Sequence, residues 1–95
     1  MAGYVIAEVN VTDPEIFKVY QGQVGATIEK YDGKYVVRGG ATETVEGDWN
    51  PQRLVILQFE NVDRAKEWYY SQEYSGPKGL RHRSANTNIV FVEGL

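Results

Sequence analysis

Two short segments constrain this chain more than anything else in it. Tyr4-Val-Ile-Ala-Glu-Val9 and Leu54-Val-Ile-Leu-Gln-Phe59 are rich in β-branched residues, and each is apolar at both alternating sets of positions. In the first, Tyr4 and Ile6 share one face while Val5, Ala7 and Val9 share the other. In the second, Leu54 and Ile56 oppose Val55, Leu57 and Phe59. Strands of this kind belong at the centre of a sheet that is covered on both sides.

The flanking segments supply the cover for one side. Asp13 is a good N-cap with Pro14 at the first helical position, and Thr12 to Glu15 also has capping-box spacing. Phe17, Tyr20, Val24 and Ile28 then recur at three- and four-residue steps as one apolar stripe. Gly22 and Gly25 each cost a helix about 1 kcal/mol relative to Ala, so a bend is expected near them. Asp32-Gly33 turns the chain into a strand over Lys34 to Arg38. Asn61 caps a second helix whose buried stripe is Ala65, Trp68 and Tyr69. Ser71 to Gly76 is expected to break that helix, and Pro77 to open a short third one through Leu80 and Arg81. The last strand runs from Asn88 to Glu93.

This order predicts a single α+β domain over residues 1–95, a ferredoxin-like βαββαβ arrangement with a four-stranded antiparallel sheet. Two helices cover only one face of such a sheet. The other face would be a large apolar patch, and a second copy packed sheet to sheet covers it most economically. The expectation is therefore a homodimer enclosing an α/β barrel.

Composition narrows the function classes. A net charge of -3 leaves no basic footprint for nucleic acid. The absence of cysteine removes disulfides, thiol nucleophiles and thiolate metal sites. No apolar run approaches the ~20 residues of a membrane span and no leader pattern precedes Tyr4, so a cytoplasmic protein without a membrane partner is expected.

Gly3-Tyr-Val-Ile-Ala-Glu-Val, Thr12-Asp-Pro-Glu, Lys30-Tyr-Asp-Gly, Val37-Arg-Gly-Gly, Glu46-Gly-Asp-Trp and Arg53-Leu-Val-Ile-Leu-Gln-Phe resemble, in this combination, the DUF1330 family. Ala65 with Trp68-Tyr69, Ser71 with Glu73-Tyr74, Leu80-Arg81 and Val92-Glu93-Gly94 extend the resemblance along nearly the whole chain. It implies the dimeric α/β-barrel superfamily, which also holds cofactor-independent monooxygenases, muconolactone isomerase-like proteins and haem-binding relatives. Fold membership does not choose among those functions. Gly76-Pro77 departs from the pattern, in which a helix usually continues.

The residues suited to a ligand gather in and around one long connection. Arg38-Gly39-Gly40 ends a strand; the glycines allow positive φ and expose backbone N–H groups, and an Arg there can clamp a carboxylate bidentately or be a plain turn residue. Trp49 and Arg53 flank Asn50-Pro51, Trp49 as a lid or seam residue and Arg53 as a second cation or the partner of Glu46 or Asp48. Tyr69 and Tyr74 either direct a phenol into a cleft or pack in the core, and Arg81 lies at the expected cleft rim. His82 is flanked by Arg81 and Arg83, which disfavour imidazolium and leave a neutral ring that could ligate a metal or haem; with no Cys, second His or clustered acidic partner to complete a site, the reading preferred is a solvated helix-end residue, and no metal is expected. Glu8 either points inward toward a partner such as an Arg or marks a solvated edge. No nucleophile elbow, phosphate loop or dinucleotide fingerprint is present, and no cofactor is expected. These features predict a site for a small apolar or aromatic acid, in a binder or a cofactor-independent enzyme. The alternative is a non-catalytic dimeric ligand-sensing or structural domain.

Overall fold

Strand β1 (Gly3–Val11) lies between β3 (Leu54–Phe59) and β4 (Ala85–Glu93), with β2 (Lys34–Arg38) at the far edge, in a computed structural model that describes residues 1–95. All neighbouring strands are antiparallel, in the order β2-β3-β1-β4. The two strands with apolar residues on both faces are the two central ones. Both β1 and β4 extend beyond the sequence expectation, because Val9, Asn10 and Val11 pair with Thr87, Asn86 and Ala85.

Three helices cover one face: α1 (Pro14–Lys30), α2 (Val62–Tyr69) and α3 (Gln72–Ser84). Asp13 caps α1 by accepting from the Ile16 N–H, which makes Asp13 rather than Thr12 the cap. The helix runs unbroken through Gly22 and Gly25, since Phe17, Val24 and Ile28 are buried along one stripe and outweigh the glycine cost. It ends at Lys30 with Tyr31 as its C-cap; beyond it Asp32 takes a left-handed φ of 63°, and the Gly33 N–H returns to Ile28 O at 2.9 Å.

The second crossover differs from expectation. Pro77 does not open α3 but lies inside it, because Ser71 supplies an earlier start. The Ser71 hydroxyl donates to Trp68 O at 2.7 Å and accepts from the Tyr74 N–H at 3.1 Å, so one side chain closes α2 and opens α3. The helix thus continues through Gly76-Pro77.

The core lies between the helices and one sheet face. Val5, Leu57, Phe59, Val24, Ile28, Ala65, Trp68 and Tyr74 form its main cluster. Trp68 stacks at 4.2 Å from Tyr74 and 5.5 Å from Phe59, and its indole donates to Thr27 Oγ1 at 3.0 Å. The opposite face has no such cover. Tyr4, Ile6, Leu54 and Ile56 are half-buried there, while Val90 and Val92 are exposed. No helix is long and apolar enough to cross a membrane.

Candidate functional site

A bulge in β2 decides what the site contains. Tyr35 pairs with Leu57, but Val37 pairs with Ile56 and Arg38 with Val55, so Val36 is an extra residue in the ladder. Strict alternation would set Arg38 on the face opposite Tyr35. The bulge instead turns both toward the helices, where the Arg38 guanidinium lies 4.7 Å from the centre of the Tyr35 ring.

Arg53 arrives from the other end of the long connection. Its carbonyl accepts from the Val9 N–H at 2.8 Å, fixing the backbone just before β3. Gly39 has a φ of 70°, and any side chain there would collide with the Arg53 guanidinium. Gly39 therefore both makes the turn and leaves room for the cation. Gly40 is exposed and touches neither arginine through such an approach.

Arg81 reaches the same space from α3. It is only 4% exposed, and its Nε donates to Tyr74 Oη at 3.2 Å. Tyr74 Oη in turn meets Tyr20 Oη at 3.0 Å. Burial pushes the Tyr20 phenol far above its ordinary value, and proximity to Tyr74 adds to the shift. Burial raises Tyr35 too, although Arg38 and Arg53 pull it back. Both phenols stay protonated near neutral pH and act as neutral hydrogen-bonding groups.

These side chains surround an internal cavity of about 50 Å³ between α1, α3 and the sheet. Arg38, Arg53 and Arg81 line it with Tyr20, Tyr35 and Tyr74; the rest of the wall is mainly apolar, and no Asp or Glu lines it. None of the three arginines forms an ion pair. Arg53 Nε and Arg81 Nη2 are buried without a hydrogen-bond partner in the protein. Buried cationic groups in this state carry a desolvation cost that an incoming anion offsets.

Of the residues expected at a site, the fold brings Arg38, Gly39, Arg53 and Arg81 together. Trp49 lies elsewhere: it is exposed, and its indole donates at 2.7 Å to Glu8 on the open face of the sheet. Glu8 faces no arginine; Asn88 Nδ2 donates to its other oxygen at 3.1 Å. Tyr69 packs edge-on against Phe91 under the Lys78 ammonium, 4.3 Å from its ring centre. His82 is exposed at the end of α3, and burial, then Arg81 and Lys78, lower its pKa. Tyr20 and Tyr35 escaped notice as site residues. Tyr20 was hidden in an ordinary helix stripe, and Tyr35 depends on a bulge that has no Gly or Pro to mark it.

Comparison with known proteins agrees with this topology. No curated protein matches the chain. A Rhodopseudomonas palustris protein of unknown function, RPA0582, superposes with a TM-score of 0.81 at 16% identity, over 99% of this chain and 82% of that one. SnoaB, a cofactor-independent oxygenase from Streptomyces nogalater, gives 0.63 at 9% identity, over 99% and 92%. A NIPSNAP domain protein from Burkholderia xenovorans gives 0.60 at 11% identity, over 100% and 95%. At such identities the likeness carries the fold alone: the ferredoxin-like α+β fold. In sequence, residues 2–95 match the domain of unknown function DUF1330, and the chain belongs to that family.

Proposed function

We propose that the protein binds a small apolar or aromatic carboxylate in the cavity between its helices and its sheet, and does so as a two-fold dimer. The observation that carries the first half is the environment of Arg81. A guanidinium 4% exposed, with an unpartnered nitrogen and no carboxylate along the cavity wall, is suited to an anionic ligand. Apolar walls and the Tyr20 and Tyr74 phenols suit a ligand with an apolar body. A cavity of about 50 Å³ takes the carboxylate head and little else, so a larger ligand enters with outward movement of the Arg38 side, where the arginine is exposed.

The dimer rests on the uncovered face. The chain exposes 6113 Å² at 10.8 kDa. A folded monomer of that mass is expected to expose about 5,500 Å². The excess fits a face meant for a partner, and about 800 Å² per subunit is the usual scale.

Neither Glu8 nor His82 lines the cavity; the phenols there are those of Tyr20, Tyr35 and Tyr74. The likeness to a cofactor-independent oxygenase makes oxygenation the enzymatic reading to test. A thermal-shift screen of aromatic and aliphatic carboxylates beside their uncharged amides tests binding. A ligand at 100 times its dissociation constant stabilises by ~2.7 kcal/mol. Carboxylates are expected to stabilise and amides not; equal effects would contradict the reading. Dioxygen uptake with any bound carboxylate separates an oxygenase from a binder.

A further inference from the structure

The structure has a second concave surface, at the free edge of β4, which the cavity reading leaves unused. It is an open cleft of about 530 Å³ lined by Arg81, His82, Thr87, Asn10, Asn86 and Asn88 among others, with no Asp or Glu. Thr87 pairs with Val9, so it lies on the helix-facing side of the sheet, toward Arg81.

Three buried polar side-chain atoms lack a hydrogen-bond partner in the protein. Two of them, Arg81 Nη2 and Thr87 Oγ1, belong to residues that line this cleft; the third, Arg53 Nε, belongs to the inner cavity. We propose that the cleft is a second ligand site, which takes a small oxyanion between the Arg81 guanidinium and the Thr87 hydroxyl. An oxyanion supplies what both atoms lack: it accepts from the Nη2 donor and from the hydroxyl. Asn86 and Asn88 alternate with Thr87 along β4 and so face the other side of the sheet, where Asn88 donates to Glu8.

Arg81 is a wall of both spaces. Its Nε holds Tyr74, which meets Tyr20 in the inner cavity. Two anions on one guanidinium share a single positive charge, so occupancy of the cleft weakens carboxylate binding in the cavity, and the effect is reciprocal. This coupling rests on the carboxylate reading; the cleft itself does not.

Inorganic phosphate is the probe, titrated calorimetrically into wild type and the variants Thr87→Val, Thr87→Ser and Arg53→Ala. Wild type, Thr87→Ser and Arg53→Ala are expected to bind phosphate alike, and Thr87→Val to lose about tenfold or more in affinity. Unchanged affinity in Thr87→Val overturns the proposal, as does a wild type that binds no phosphate, which leaves water as the occupant. Loss of phosphate binding in Arg53→Ala with retention in Thr87→Val also overturns it. That result would place the anion in the inner cavity and leave the carboxylate reading intact.

Discussion

The Trp49 indole donates a 2.7 Å hydrogen bond to Glu8 Oε2, on the face of the sheet opposite the arginine-lined cavity. The long connection between β2 and β3 thus has two functions in space. Its ends, Gly39 and Arg53, build the cavity, while its middle is tied to the uncovered face. Trp49→Ala is expected to release the middle, so that limited proteolysis within residues 40–52 speeds up. Carboxylate affinity is expected to stay the same, since Trp49 does not line the cavity. A parallel loss of affinity would make Trp49 part of the site.

Core and surface are separated sharply on the C-terminal half. Trp68 is 2% exposed, and Trp68→Ala is expected to cost ~3 to 5 kcal/mol in denaturant unfolding. His82 is exposed, and His82→Ala is expected to change stability by less than about 0.5 kcal/mol.

Glycine substitutions are expected to split by site. A methyl group at Gly22 or Gly25 of α1 meets nothing within contact distance. Gly22→Ala is therefore expected to stabilise by about 0.5 to 1 kcal/mol. At Gly3 the same methyl group would collide with the backbone of Asn61 and Val62, so Gly3→Ala is expected to destabilise. Thermal unfolding of the two variants checks the opposite signs.

Acid stability depends in part on the link between α1 and α3. The hydrogen bond from Lys30, then its own backbone, then the Tyr31 hydroxyl hold the Glu73 carboxyl down at about 2, from an ordinary 4.5. A depressed pKa stabilises the fold fully above the unfolded value and loses that contribution as pH falls through the folded one. The window is thus from about 4.5 down to about 2. Glu73→Gln is expected to flatten the stability profile there, by a small amount that shrinks with added salt because the pair is exposed.

The fold was legible because its signals are local. Asp13 and Asn61 cap the helices that their positions announce, and the two-sided apolar segments are the central strands. Pro77 misled because proline is at home in a first turn, while the Ser71 cap that moves the start of α3 forward is an equally ordinary residue. The three arginines that line the cavity stood out as charged residues at element ends. Their convergence did not, because it depends on the Val36 bulge and on the packing of α3 against α1.

The central claim is that the cavity arginines bind a carboxylate. Calorimetric titration of the best carboxylate from the screen into wild type, Arg53→Lys and Arg38→Lys tests it most directly. Lysine keeps the charge but loses the planar fork. The account predicts that Arg53→Lys, at the unpartnered Nε, loses the most affinity, and that Arg38→Lys loses less because Arg38 is exposed. Equal affinity across the three proteins would contradict it.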